Sequence, residues 1–331
     1  MKAIRYHRHG DAGELRVDEV ARPVPGAGQV LVRVTATAFN PVDATIRAGY
    51  LQQVFPVALP YTPGIEVAGT VEELGEGVTG AGPAAGSGAG LTGAGSAAGG
   101  VEFQVGDRVV GVLPMTEPGA SAEYVLVPAG SLAAAPTAVP LADAAALPAT
   151  GLTAWQAVHD HAAVKPGQRV LINGAGGAVG GYAVQLAVEA GATVVATAGE
   201  RNADRVRGYG AEVVGRAADE VADSGREGGF DVVLNFAPVP PDAMAALTAL
   251  VADGGVLIST TAPAVGDDGR GVRASNMYLR ADAGQLAGLV ERVDAGKLHI
   301  HIAERVSLDE LAAVHARSDA GTLAGKTVIT V

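Results

Sequence analysis

Asn173-Gly174-Ala175-Gly176-Gly177-Ala178-Val179-Gly180 is the stretch of this 331-residue chain whose residue types and spacing most directly imply chemistry. Glycines at Gly174, Gly177 and Gly180 let a backbone turn sharply and approach a ligand with no Cβ in the way. Ahead of them Val170-Leu171-Ile172 is a short apolar run fit for a buried strand. Behind them Ala183, Leu186, Ala187 and Ala190 recur at i, i+3, i+4 and i+7, which predicts a helix over 182–190. A helix entered from such a turn offers N–H groups and the positive end of its dipole to an anion, most naturally a pyrophosphate. Gly191 stops the helix and residues 193–197 read as a second parallel strand, closing a βαβ unit of the kind that binds dinucleotides. The expected cradle is Gly174, Gly176, Gly177, Ala178, Val179 and Gly180.

The end of that second strand chooses between nicotinamide coenzymes. An NAD site places Asp or Glu there for the ribose 2′-hydroxyl, whereas an NADP site supplies a cation. Here the strand ends Thr197-Ala198-Gly199 and continues Glu200-Arg201-Asn202. Arg201, with Thr197, Gly199 and Asn202 around it and Arg205 a turn later, is suited to clamp a 2′-phosphate through charge-assisted hydrogen bonds. NADP(H) is therefore the expected coenzyme.

Composition narrows the remaining possibilities by exclusion. Against 35 Asp and Glu stand only 23 Lys and Arg, a net charge of −12, with no basic run, so a nucleic-acid or anionic-membrane surface is not expected. The absence of cysteine removes disulfides, thiolate catalysis and cysteine-ligated zinc. His299 and His301 alternate along what reads as a strand at 299–302, but two ligands are too few for a metal site. No apolar run reaches membrane-spanning length, and Met1-Lys2-Ala3-Ile4 opens without a charged-then-apolar leader. The expectation is a soluble cytoplasmic protein without metal.

These residues need elements to hold them. Residues 1–78 read as β-rich, with a strong strand at 30–38, a turn at Asn40-Pro41, Asp43 capping a short helix toward Arg47, and a glycine-interrupted strand in the second half of 59–71. Residues 79–100 are low-complexity Gly, Ala and Ser, with too little apolar surface to offset ordering entropy, and read as a flexible surface loop. Strands resume at 106–111 and 122–127, followed by helices at 141–147 and 151–159 separated by Pro148. After the βαβ unit, helices at 204–209 and 242–251 alternate with strands at 212–214, 231–236 and 255–260, the pattern of a doubly wound parallel sheet. Helices at 285–295 and 308–317 follow, and the final strand at 326–331 is expected to join the N-terminal sheet.

Taken together, the chain resembles the medium-chain dehydrogenase/reductase superfamily, and within it the zinc-independent quinone oxidoreductase group that includes zeta-crystallin. The resemblance rests on Asn40-Pro41-Val42-Asp43, Leu59-Pro60-Tyr61-Thr62-Pro63-Gly64, Val105-Gly106-Asp107-Arg108-Val109, Gly151-Leu152-Thr153-Ala154-Trp155, the Gly174–Gly180 turn, the 197–204 stretch and Gly325-Lys326-Thr327-Val328. These occur in family order across nearly the whole chain; only 79–100 has no counterpart. The resemblance implies an α/β fold with a GroES-like β-barrel catalytic domain over 1–130, a Rossmann cofactor domain over 131–278 and a return to the catalytic domain over 279–331. At the positions where zinc-dependent relatives hold their catalytic metal stand Asn40, Ile65 and Ala149. It also implies Asn40, Tyr50 and Thr153 around the nicotinamide and the substrate carbonyl, with Asn235, Phe236, Asn276 and Tyr278 lining the nicotinamide side. Several relatives carry the tyrosine one residue later, where this chain has Leu51. The implied activity is NADPH-dependent reduction of a quinone by a homodimer. Alternatives are reduction of an enone or enoyl C=C bond, or NADPH binding without turnover, as in a crystallin.

Overall fold

A computed structural model of the protein describes residues 1–78, 102–215, 220–221 and 229–331. The stretch read above as a surface loop, 79–100, lies outside the described residues. In chain order the strands are β1 (Lys2–Arg5), β2 (Arg16–Glu19), β3 (Gln29–Ala38), β4 (Glu66–Leu74), β5 (Arg108–Val112), β6 (Tyr124–Pro128), β7 (Leu132–Ala134), β8 (Arg169–Asn173), β9 (Thr193–Ala196), β10 (Glu212–Val213), β11 (Phe230–Asn235), β12 (Val251–Ser259), β13 (Arg273–Asn276), β14 (Glu304–Ser307) and β15 (Thr327–Thr330). The helices are α1 (Pro41–Arg47), α2 (Leu141–Ala144), α3 (Pro148–Trp155), α4 (Ala178–Glu189), α5 (Glu200–Gly208), α6 (Pro241–Ala249), α7 (Ala283–Asp294) and α8 (Leu311–Asp319).

One sheet runs β14-β15-β3-β4-β5-β7, with β6 also paired to β3. Its interior is built from alternate residues, Val30, Val32 and Val34 meeting Val67, Val71, Val109, Val125 and Val127, so the period of two read in the sequence becomes one buried face. The last strand does return to it: β15 lies antiparallel to β3, with Val328 opposite Ala38. Strands β1 and β2 pair by themselves, and a third sheet runs β10-β9-β8-β11-β12-β13, every pair parallel. Counted from β8 this is the 3-2-1-4-5-6 doubly wound order, and it places a topological switch point between β8 and β11. Val170 and Ile172 pack with Ala183, Leu186 and Ala187 of α4, while Leu171 between them packs on the opposite face with Val233, Leu247 and Leu257. Both faces are covered, so the strand is apolar throughout.

Four local expectations change. Helix α4 begins at Ala178 rather than near residue 182, because Gly177 takes the extended N-cap conformation (φ −77°, ψ 175°) and the helix starts inside the glycine run. Pro148 opens α3 instead of separating two helices, as the first turn requires no proline N–H, and α3 runs on into a π-helical turn, Gln156–His161. In α1 the N-cap is Asn40, and Asp43 sits inside the first turn, its Oδ2 accepting the Asn40 amide at 2.9 Å. Residues 299–302 form no strand: the His299 amide and carbonyl are taken by the Gln185 side chain of α4 at 2.7 and 3.2 Å, so they are not free to join a ladder. Among the described residues no helix is long and apolar enough to cross a membrane.

Candidate functional site: a nucleotide turn beside a buried ion pair

The glycine turn lies at the carboxyl end of β8, beside the switch point. Gly174 has φ +85°, a conformation that favours glycine, and a Cβ there would meet Ala237 at 3.1 Å, so the ends of β8 and β11 close on each other. A Cβ on Gly180 would lie 2.3 Å from the Gly174 carbonyl oxygen and 2.6 Å from the Ala175 Cα, so only glycine lets α4 pack this tightly under the turn. The result is a backbone cradle in which the first amides of α4, at Ala178, Val179 and Gly180, lack intrahelical acceptors and face whatever anion enters. A dinucleotide's pyrophosphate fits that donor set.

Helix α5 is stapled to the same turn. Arg205 Nη2 donates to the Gly176 carbonyl at 2.8 Å and to Asn202 Oδ1 at 3.1 Å, and a Cβ on Gly176 would touch Asn202. This fixes the α5 N-terminus, capped by Gly199, against the cradle, with Arg201 exposed in its first turn and without an ion-pair partner among the described residues. No acidic residue ends β9. Thr197 stands there, only 1% exposed, and the Asn235 side chain at the end of β11 is fully buried; both turn inward. Phe236 is half-buried beside the turn. Asn276 ends β13 and braces the loop that follows β12, accepting from Ala264 N at 2.9 Å and donating to the Ala262 carbonyl at 2.8 Å. Tyr278 is exposed and meets Phe55 edge-on at 6.3 Å, so the loop after α1 reaches the nucleotide sheet.

Sequence reasoning did not find a buried ion pair beside Asn40. The Lys326 ammonium at the start of β15 donates to Glu66 Oε1 at 2.5 Å, Asn40 Oδ1 at 2.8 Å and the Phe39 carbonyl at 3.3 Å, which uses all three of its protons. Asn40 Nδ2 donates to the same Glu66 oxygen at 2.7 Å, and the Ala149 amide donates to Glu66 Oε2 at 2.8 Å. Glu66 is 0% and Lys326 4% exposed. The cluster therefore gathers Asn40 and Ala149, two of the three positions that the resemblance sets against zinc ligands, with Glu66, the residue after the third, around an ammonium ion. Ile65 itself packs in the core, and among the described residues no group of three His, Cys, Asp or Glu could hold a metal. These residues do not fit zinc. Thr153, half-buried on α3, donates back to the Ala149 carbonyl at 2.7 Å, which leaves its hydroxyl oxygen free to accept. Tyr50 does not join them: its ring is 83% exposed on the turn after α1, while Leu51 packs inward. The missed signal was one charged residue in each of two apolar runs, Ile65-Glu66-Val67 and Lys326-Thr327-Val328.

Helix α1, which carries Asn40 at its cap, rests on two buried titrating groups with opposed effects. Burial pushes the Asp43 carboxyl up from 3.8 to about 7, against the lowering effect of the Asn40 and Gly64 amides it accepts. Burial, helped by the Arg47 guanidinium 3.0 Å from its Nδ1, pulls His315 down from 6.5 to about 3. Asp43 is raised on folding, so its stabilising contribution is full below pH 4 and is lost as pH rises toward 7. His315 is lowered, so its contribution is full above pH 6.5 and is lost as pH falls toward 3. In urea titrations across this range, His315→Met should flatten the acid limb and Asp43→Asn the neutral limb, each by on the order of a few kcal/mol. Unchanged slopes would show that neither group titrates with folding.

Residues 26–137 match the alcohol dehydrogenase GroES-like domain family and residues 209–329 the zinc-binding dehydrogenase family. A chloroplastic quinone oxidoreductase of Triphysaria versicolor is 30% identical over 99% of this chain and 98% of its own length. A quinone oxidoreductase homologue of spinach is 37% identical over 65% of this chain, a match that spans about 60% of that relative. Solved structures superpose over the entire chain. They include the quinone oxidoreductase of Coxiella burnetii (27% identity, TM-score 0.82, 99% of that chain), an NAD-dependent alcohol dehydrogenase (27%, 0.84, 100%) and a mycobacterial protein complexed with NADPH (26%, 0.83, 100%). With a GroES-like sheet, a Rossmann sheet and quinone oxidoreductase relatives along its length, the chain belongs to the medium-chain dehydrogenase/reductase family of oxidoreductases.

Proposed function

We propose that this protein is an NADPH-dependent, zinc-independent reductase of quinone-type acceptors, divided at about residues 130 and 278 and acting as a homodimer. The observation that carries the reading is Arg201, exposed in the first turn of α5 and without an ion-pair partner among the described residues, on a helix that Arg205 ties to the glycine cradle where an NAD site would hold a carboxylate. When bound, NADPH supplies a hydride, and with one proton from solvent or protein a quinone becomes a hydroquinone. The protein's own residues supply position and hydrogen bonds. Asn40 is locked by Glu66 and Lys326, and Thr153 is held by Ala149 with acceptor capacity to spare. An ammonium whose protons are all engaged has no donor left to polarise a carbonyl, so the substrate must already be electrophilic, as a quinone is.

Steady-state oxidation of NADPH and NADH with 1,4-benzoquinone and with a 2-alkenal tests this directly. Turnover with NADPH and quinone is expected; turnover only with the alkenal would move the assignment to C=C reduction. Arg201→Ala should weaken NADPH binding by about 10- to 100-fold, the worth of hydrogen bonds to a charged group, and leave NADH nearly unchanged. Equal losses for both coenzymes would refute Arg201 as the 2′-phosphate ligand.

A further inference from the structure

Thr197 and Asn235 face inward because they belong to a continuous set of hydrogen bonds laid across the strand ends. The Gly174 amide donates to Thr197 Oγ1 at 3.0 Å, whose hydroxyl donates to Asn173 Oδ1 at 2.7 Å. Asn173 Nδ2 donates to Asn235 Oδ1 at 2.8 Å, and Asn235 Nδ2 donates to Ser259 Oγ at 3.1 Å and Thr261 Oγ1 at 3.3 Å. Thr261 then donates to the Ala237 carbonyl at 2.7 Å. These bonds donate in one sense, from the glycine turn after β8 to the loop after β11, so each polarises the next, and a longer one from the Ala237 amide to Asn235 Oδ1 at 3.4 Å closes the loop onto the set. Thr197, Asn173, Asn235 and Ser259 are all at most 3% exposed, where an unmade bond carries a full desolvation penalty.

We propose that Thr197, Asn173, Asn235, Ser259 and Thr261 form a positioning relay that sets the two sides of the switch-point crevice in one register. A change on the β12 side is thereby felt at the phosphate turn, and the reverse. These residues touch each other and the loop backbone; they position the groups that bind. The inference rests on the dinucleotide reading above, with one side of the crevice holding the adenosine half and the other the nicotinamide half.

Calorimetry with 2′,5′-ADP, which carries only the adenosine half, separates the two ideas. Thr261 is exposed and stands on the far side of the switch point, so Thr261→Val should fold normally. It should weaken 2′,5′-ADP by about 3- to 10-fold, the range of coupling carried by such networks, and Thr261→Ser should restore it. Thr197→Val should weaken reduced nicotinamide mononucleotide by a similar factor, and the double variant's loss of NADPH affinity should be less than the product of the two single losses. Effects confined to the fragment on each residue's own side, or single losses that simply multiply, would overturn the relay while leaving dinucleotide binding intact. If the unaltered protein bound neither fragment nor either coenzyme, both readings would fail. Should Thr197→Val not fold, the Thr261 pair alone decides.

Discussion

Lys326→Met is expected to remove about 3–5 kcal/mol of folding stability, the usual result of deleting one partner of a buried, hydrogen-bonded ion pair. The reasoning starts from Glu66, which has no exposed surface and whose Oε1 takes the Lys326 ammonium and the Asn40 amide. Methionine fills most of the lysine's volume, so the loss measures the uncompensated carboxylate and not a cavity. Asn40 Oδ1 and the Phe39 carbonyl lose donors in the same step. Glu66→Gln combined with Lys326→Met should recover about half of the loss, because the neutral amide keeps an acceptor for the Ala149 amide while the buried charge disappears. Urea unfolding reads both, as a shift in midpoint at constant slope. A single-variant loss below about 1 kcal/mol would mean that water reaches the pair and screens it, as at exposed bridges.

That cluster also marks the limit of what the sequence conveys. Val170-Leu171-Ile172, the glycine run and the alternation that follows announce the parallel sheet, because each signal lies within one βαβ unit and depends on local period and turn chemistry. Glu66 and Lys326 meet across 260 residues. No local pattern joins them, although each is a charge in an apolar run and so must find a partner when buried. Side-chain direction at strand ends was equally out of reach. Thr197 and Asn235 stand where ligand contacts occur in this topology, yet the structure spends their polar atoms on each other's neighbours. Residues 299–302 have strand-like alternation, but alternation cannot reveal that the Gln185 side chain captures the His299 backbone first. Tyr50 is a further case of side-chain direction that no local pattern gives, since the turn after α1 carries its phenol to solvent.

Gly180→Ala should cost the cradle most of its coenzyme affinity. The new Cβ would sit 2.3 Å from the Gly174 carbonyl oxygen and 2.6 Å from the Ala175 Cα, and both are backbone, so no rotamer change relieves the clash. Helix α4 must therefore retreat from the turn by about 1 Å, a displacement that commonly costs a positioned group about 10²-fold. The amides of Ala178 and Val179 move with the helix, so NADPH should bind about 100-fold more weakly. The same retreat draws Ala183, Leu186 and Ala187 off Val170 and Ile172, adding about 1–3 kcal/mol of instability, as overpacking does. Gly208, at the end of α5, is the matched control: a Cβ there meets nothing within 4 Å, so Gly208→Ala should leave affinity unchanged and stability equal or slightly higher. Isothermal calorimetry on the two variants distinguishes a specific cradle from general helix damage. If Gly180→Ala bound NADPH within about 3-fold of the parent while losing the expected stability, the phosphates would have to rest on some other part of the molecule.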